Sequence, residues 1–161
     1  MVSIEDLRTC ELFPALSDRE LEQIARIARQ EEYQAGDRIC AEREVADRLF
    51  ILKSGRAQVR VRLRSGLEPN GDATLELVEP GRIFGWSSLV KQRRFTGSVW
   101  ALEPVAAIVI QGDELMALFD RNTHIGFVVM KHLAEVVASR LQHTREIREN
   151  SAYAPGTFDD D

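Results

Sequence analysis

The chain has 161 residues, of which 44% are hydrophobic and 29% are charged, and its net charge is -5 at a pI of about 5.3. This composition is typical of a single globular domain, and its acidic balance argues against a dedicated nucleic-acid-binding protein. Two cysteines, Cys10 and Cys40, are too few for a disulfide framework, so we expect two ordinary free thiols.

Residues 3–30 are predicted to form a helical lead. Ser17 with Glu20 is a capping box, in which each side chain satisfies a backbone N–H that the first turn leaves free. Ser3 with Asp6 is a weaker start for a short preceding helix. The opening segment is acidic and amphipathic, unlike a signal peptide, and no run approaches the ~18 apolar residues of a membrane span. We therefore expect a cytoplasmic protein without a membrane segment.

Residues 31–111 change to the two-residue period of β-strands. In "RAQVRVRLRSG", alternate apolar residues from Ala57 to Leu63 face one side, and a stripe of Arg60, Arg62 and Arg64 faces the other. The arginine stripe is either a solvated face or a phosphate-backbone contact, and the acidic total favours the solvated face. Asn70-Gly71 suits a hairpin turn, and "PVAAIVIQG" is an almost continuously apolar strand. Short strands with frequent turn signals predict an antiparallel jelly roll or barrel.

Residues 112–150 are predicted to form two helices, the second about 25 residues long. An apolar stripe follows this last helix through Met130, Leu133, Val137 and Leu141. The stripe is wider than one contact needs, so we expect one part to pack on the barrel and another on the twin helix of a homodimer. The tail, residues 151–161, contains proline and glycine and ends in three aspartates, which predicts disorder.

The order of these elements resembles the cyclic nucleotide-binding domain superfamily. Gly36-Asp37, Phe50-Ile51 and Gly55 coincide with its Gly-Asp pair, its F-I pair and a turn glycine. "FGWSSLV" is similar to the start of its phosphate-binding cassette, and "SRLQHT" is similar to the dimer helix of its catabolite activator and fumarate-nitrate regulator branch. The resemblance implies an α+β, mainly β, domain over residues 1–150, with a jelly roll between N-terminal helices and two C-terminal helices.

The resemblance also implies how the cassette works. In the family it opens F-G-E-(L/I)-(A/G)-L, and backbone N–H groups after the glycine cradle the cyclic phosphate, while the glutamate accepts a hydrogen bond from the ribose. Here Phe84, Gly85 and Leu89 match, but Trp86 occupies the glutamate position. The ribose acceptor is therefore absent.

A second departure concerns the cation. The family places an arginine downstream, in the pattern R-(A/S/T)-A-(T/S)-V, where it pairs with the phosphate. Phe95 occupies that position, Thr96 follows it, and Arg94 lies one residue early. Arg94 would reach the pocket only if the loop before Phe95 bulged by one residue.

Each candidate ligand contact has an alternative structural role. Trp86 either plugs the pocket or caps its rim, and Ser87 and Ser88 either donate to an anion or cap the short helix. The basic residues at 91–94 are either an anion-binding cluster or a solvated loop. Thr144 either contacts a ligand base, as the resemblance implies, or is an ordinary exposed helix residue. The candidate ligand contacts are Phe84, Gly85, Trp86, Ser87, Ser88, Arg94, Phe95, Thr96 and Thr144.

The sequence predicts neither an enzyme nor a metal site. All three histidines lie in the last helical region, and there is no phosphate loop, paired Cys-x-x-Cys or supported Ser-His-Asp set. We therefore expect a non-enzymatic regulatory domain. Its ligand is either a cyclic nucleotide or another small anion, and ligand binding shifts the C-terminal helices. The alternative is a degenerate domain with a filled pocket that serves as a dimeric protein-interaction scaffold.

The sequence also bears on how the domain is used. Only the last dozen residues follow Glu149, so a helix-turn-helix module is not expected and neither is DNA binding by this chain alone. The chain is then either a stand-alone sensor or a fragment of a longer protein.

Overall fold

The computed structural model describes residues 1–62, 72–91 and 93–152, except for the side chains of residue 72 and residues 147–152. The predictions for Leu63, Arg64, the Asn70-Gly71 turn and the tail from residue 153 onward lie outside the described residues.

Two short helices, α1 (Ile4–Arg8) and α2 (Asp18–Ala25), form the N-terminal lead. The capping box predicted at the start of α2 is present: Ser17 N donates to the Glu20 carboxylate at 2.8 Å, and Glu20 N donates to Ser17 Oγ at 3.3 Å. The weaker sequence signal at Ser3 gives the same reciprocal arrangement. The apolar face of the lead is buried against the first sheet, so these helices form part of the core.

Eight strands follow in the described residues and form two four-stranded antiparallel sheets. The strands are β1 (Ala28–Tyr33), β2 (Arg38–Cys40), β3 (Arg48–Ser54), β4 (Ala57–Arg62), β5 (Asp72–Val78), β6 (Ile83–Phe84), β7 (Ser98–Ala101) and β8 (Val105–Gln111). The hydrogen-bonded order is β1-β8-β3-β6 in the first sheet and β2-β7-β4-β5 in the second. The predicted mainly β jelly roll is confirmed, as two facing sheets rather than a closed barrel. It begins at Ala28, three residues before the predicted start, because Ala28 already pairs with Ile110 of β8.

The first sheet is covered on both faces. In β3, Leu49 and Ile51 pack on the helices, whereas Phe50 and Leu52 pack between the two sheets. The Phe50 ring stacks on that of Phe84, with centroids 4.7 Å apart. Strands covered on both faces read as continuous apolar runs, which explains the sequences of β3 and β8. The second sheet has one buried face and one outer face, which explains the alternation in β4.

Two helices complete the domain: α3 (Gly112–Arg121) and α4 (Thr123–Ala152). The last helix therefore continues two residues into the segment predicted to be disordered. No helix in the described ranges is long and apolar enough to cross a membrane.

The predicted dimer stripe on α4 is divided between two surroundings. Leu133 is 4% exposed and belongs to the core of its own chain, and half-buried Val137 packs against the same core. The prediction that Leu133 lies in the dimer seam is therefore corrected, because the core of its own chain already covers this side chain. Met130 (37%) and Leu141 (52%) are exposed, and Phe127 (68%) extends this exposed stripe by one turn.

Gly112, the first residue of α3, permits close packing between this helix and the loop after β6. A Cβ at position 112 would lie 2.6 Å from the carbonyl oxygen of Ser88, closer than real Cβ atoms approach, and 3.1 Å from the Ser88 Cβ, which is a tight contact. The Gly112 N–H also donates to Asp47 O at 2.8 Å. The close contact between Gly112 and Ser88 joins the start of the C-terminal helices directly to the candidate cassette.

We expect Gly112→Ala to lower the free energy of unfolding by about 1–3 kcal/mol, because overpacking outweighs the better helix propensity of alanine. Urea denaturation measures the change, with Glu114→Ala, an exposed substitution in the same helix, as the control. Unchanged or increased stability of Gly112→Ala would contradict the close packing.

Candidate functional site

The candidate cassette is a tight turn that leads from β6 into a 3-10 helix, Trp86–Leu89. Gly85 has φ 77° and ψ 23°, the left-handed conformation that glycine adopts without strain. A Cβ at this position would also lie 2.8 Å from Arg48 O and 3.0 Å from the Phe50 ring. The glycine is therefore required by the turn itself, whether or not a ligand binds.

The two serines of the 3-10 helix have different surroundings. Ser88 Oγ donates to Gly85 O at 2.8 Å, so this hydroxyl closes the turn. Ser87 is also buried, and it lines a small cavity beside the turn. Of the two serines, only Ser87 lines this cavity.

This small cavity lies between the two sheets, beside the turn, and has a volume of about 40 Å³. Its walls bring together most of the predicted ligand contacts with core residues: Cys40, Val59, Phe84, Gly85, Trp86, Ser87, Phe95, Thr96, Gly97 and Val99. Small-molecule pockets generally have volumes of about 300–1,000 Å³, and about 10–15 Å³ of such space holds one water. This cavity has room for a few waters but not for a nucleotide.

Phe95 is a buried ring in the wall of the cavity. It is 5% exposed and packs in the core between the sheets, and its ring edge lies 3.2 Å from where a Cβ of Gly85 would be. Its backbone is fixed by two hydrogen bonds to the segment that precedes β3, Phe95 N to Glu44 O at 3.0 Å and Arg43 N to Phe95 O at 2.8 Å. The residue at the family's arginine position is thus an integral part of the core.

Arg94 lies outside the cavity. Its backbone forms a bridge with Val45, its side chain is exposed, and its guanidinium donates to Arg43 O at 2.8 Å. The neighbouring Arg93 has a positive φ of 42° and pairs with Asp113 of α3 at 3.2 Å. In this structure Arg93 and Arg94 therefore both contact the protein itself.

Thr144 is not among the residues that line the cavity. Its hydroxyl donates to the carbonyl of Arg140 one turn earlier in α4, at 2.9 Å. Thr96 lines the cavity, but its side chain is largely exposed. Six of the nine predicted contacts therefore line the cavity, a seventh, Ser88, closes its turn, and Arg94 and Thr144 lie elsewhere.

Cys40 is one wall of the cavity, and it is a buried free thiol like Cys10. Burial raises the pKa of the Cys40 thiol to about 12, and that of Cys10 likewise to about 12. Both thiols are therefore protonated near neutral pH and are poor nucleophiles. In the described part of the chain, no cluster of His, Cys, Asp or Glu has the composition of a metal site.

Arg140 of α4 was not predicted to take part in this site, but its side chain is only 11% exposed. Its guanidinium carbon lies 4.7 Å from the centre of the Trp86 ring, so the residue at the family's glutamate position contacts a cation from the last helix. Arg140 Nη2 donates to Glu11 at 3.1 Å, and Nε lies 3.0 Å from Glu76 but without the alignment of a hydrogen bond. Arg140 thereby joins α4 to the cassette, β5 and the N-terminal lead.

The electrostatic balance around Arg140 keeps it charged. Burial lowers the pKa of its guanidinium, and the carboxylates of Glu76 and Glu11 oppose that change. A sequence signal for this residue did exist: Arg140 follows Leu133 by seven residues and Val136 by four, on the face that α4 buries. A charged residue at a core position of a helix requires buried acceptors.

The sequence pattern of the cyclic nucleotide-binding domain family matches residues 30–122. The chain is 33% identical to a candidate cyclic nucleotide-binding protein of Geobacter metallireducens, whose crystal structure superposes with a TM-score of 0.74 over 88% of this chain and 99% of that one. The catabolite activator protein of Thermus thermophilus shares the fold, with a TM-score of 0.71 and 23% identity over 88% of this chain and 63% of that chain.

A curated relative is a longer protein. Glutaminase 2 of Bradyrhizobium diazoefficiens is 30% identical over 130 residues, which make up 81% of this chain but 19% of the glutaminase. The chain therefore spans about a fifth of the length of this relative.

A double-mutant cycle tests the contact between Arg140 and Trp86. We expect Arg140→Gln to lower the free energy of unfolding by about 2–4 kcal/mol, because Glu11 and Glu76 lose their partner. Together with Trp86→Leu, the coupling energy should be about 0.5–2 kcal/mol, the range of a partly buried cation–π contact. Urea denaturation of the four proteins measures it. The control pair, Trp86→Leu with the exposed Arg121→Gln, should be additive, and additivity in both pairs would show that the stacked contact stabilises nothing.

Proposed function

The chain belongs to the cyclic nucleotide-binding domain family, and on that basis we propose that it is a regulatory domain whose interior pocket is closed to cyclic nucleotides and which acts through protein contacts. Its role is regulatory rather than catalytic. The single observation that carries the proposal is the position of Phe95, which is buried where the family's phosphate-binding arginine would be and leaves a cavity of about 40 Å³.

The size of the effect follows from the two missing groups. Removing one partner of a buried Arg–phosphate pair costs about 3–5 kcal/mol, and the lost ribose hydrogen bond adds roughly 1–3 kcal/mol. Even the low end of this sum, about 4 kcal/mol, is nearly a thousandfold in affinity. A ligand would in addition have to displace the Phe95 ring from the core.

Arg140 supports a role for the last helix in transmitting a signal. Through Trp86 it contacts the cassette, and through Glu11 and Glu76 it holds α4 against the lead and the second sheet. A protein that binds near this junction would shift α4 relative to the jelly roll, because one guanidinium serves all three contacts. The similarity to part of a longer enzyme chain is consistent with a domain that acts on a neighbouring protein or domain.

A ligand sensor is the second candidate, and the cassette geometry favours it. The left-handed Gly85 and the buried Ser87 remain beside the cavity, so a small anion could be bound there after a rearrangement of Phe95. Mass spectrometry of small molecules released from the purified protein separates the two candidates: a stoichiometric small molecule favours the sensor, and none favours the protein-contacting domain.

We also propose that the domain forms a homodimer through the exposed stripe of α4. Phe127, Met130, Ala134 and Leu141 are exposed and follow one another at intervals of three, four and seven residues, which fit the heptad of a coiled-coil seam. Such a stripe suits a twofold contact with the same stripe of a second copy.

In calorimetry with cyclic AMP and cyclic GMP we expect dissociation constants in the millimolar range or weaker for the wild type. The double variant Trp86→Glu, Phe95→Arg restores both family residues, and we expect it to bind cyclic AMP at least about tenfold more tightly, because a charge-assisted pair is regained. Micromolar binding by the wild type that is lost in Arg94→Ala would show that Arg94 enters the pocket and that the proposal is wrong.

For the dimer, we expect Leu141→Glu to convert the protein to a monomer, because it places an unpaired charge in the apolar seam. Multi-angle light scattering at micromolar concentration measures the mass. Gln142→Glu, which adds the same charge one residue further round the helix, should remain dimeric. A wild type that is monomeric under these conditions would refute the dimer.

A further inference from the structure

The outer face of the second sheet carries a concave cluster of arginines that is separate from the candidate cassette. Val59 and Val99 point into the core between the sheets, so the alternation of the strands places Arg60 and Trp100 on the opposite face. Strand pairing brings Arg38 of β2 next to Trp100 of β7, and Trp100 next to β4. Residues from three strands therefore meet at one surface.

This surface is a cavity of about 160 Å³ with a strongly positive lining. Four arginines line it, Arg38, Arg43, Arg60 and Arg62, together with one acidic residue, Glu42. In a chain with a net charge of -5, this is a local concentration of charge of the opposite sign. Such a concentration attracts anions and raises their local concentration.

None of the four guanidinium groups has a carboxylate within ion-pair distance among the described residues. The Glu42 carboxylate forms no ion pair with them among these residues, and it accepts a hydrogen bond from the backbone N–H of Arg62 at 3.1 Å. Elsewhere in the same residues, arginines such as Arg56 and Arg140 do pair with glutamates. The cluster is thus a place where cationic donors remain available.

The Trp100 ring contacts two arginines of the cluster. The guanidinium carbons of Arg38 and Arg60 lie 5.7 Å and 5.5 Å from its ring centre, within cation–π range. Arg60 Nε also donates to Gln58 Oε1 at 2.9 Å, which orients the group. The Trp100 indole N–H has no acceptor among the described residues. Two guanidinium groups held by one aromatic ring are partly preorganised, so less side-chain entropy is lost when they bind an anion.

We propose that this cavity binds a small ligand through a phosphate or diphosphate group. Guanidinium groups match phosphate oxygens with paired, charge-assisted hydrogen bonds, and four of them converge here. The volume suits a diphosphate group better than a whole nucleotide, since complete ligand pockets occupy about 300–1,000 Å³. A nucleic acid fits less well, because its phosphates would extend beyond the cavity over an acidic protein. The cavity lies on the other side of the second sheet from Phe95, so this proposal does not depend on whether the interior pocket is closed.

Inorganic pyrophosphate is the probe for the test. The chain has two tryptophans, so Trp86→Phe leaves Trp100 as a local fluorescence reporter. We expect a saturable change in Trp100 fluorescence on titration with pyrophosphate, with sodium chloride of equal ionic strength as the blank. In this background, Arg38→Gln or Arg60→Gln should raise the dissociation constant about tenfold or more, the size of a lost charge-assisted hydrogen bond.

Arg19→Gln is the matched control, since Arg19 is an exposed arginine of α2 far along the chain from the cluster. It removes the same charge and should leave the dissociation constant unchanged. Calorimetry of pyrophosphate with the wild type gives an independent measurement that does not depend on the Trp86 substitution. A response no larger than that of sodium chloride, or an equal loss in Arg19→Gln, would overturn the proposal, because it would show general charge screening.

Discussion

The arrangement of the last helix depends on one buried cation. Arg140 brings a charge from α4 into a partly dry junction, where Glu11 and Glu76 keep it ionised and the Trp86 ring covers one face. Replacing Arg140 would leave both carboxylates without their cation, which is the costly case for buried charges. The Trp86 ring of the cassette therefore contacts the protein's own last helix.

Two close approaches keep the cassette and the C-terminal helices together. Gly112 lets α3 start against the backbone of Ser88, and Gly85 lets the turn pass beside Phe50 and Phe95. Neither position has space for a Cβ, so the turn, the Phe95 ring and the start of α3 form a tightly packed unit. The turn and the start of the C-terminal helices are therefore in direct contact.

The sequence predicted the features that local patterns determine. Continuous apolar runs and strict alternation distinguished strands covered on both faces from strands with one outer face, and the capping box at Ser17 marked the start of a helix. The assignment of Leu133 to a dimer seam was wrong because a wide apolar stripe does not reveal which part its own chain covers. Arg140 was missed, and the arginine cluster was seen only as the stripe of β4, because their partners come from distant strands and helices. Only the order of the strands in the sheet places Arg38, Trp100 and Arg60 side by side.

The layering of the domain divides its sequence into positions with very different freedom to mutate. The buried residues of β8 alternate between the two cores, so a change at any of them disturbs either the helices or the second sheet. The outer face of the second sheet meets neither core, and its side chains can be exchanged while the inward-facing residues of β4 and β7 stay as they are. Substitutions can therefore change the charge and polarity of this face without changing the fold. New recognition functions can arise on this surface while both cores stay unchanged.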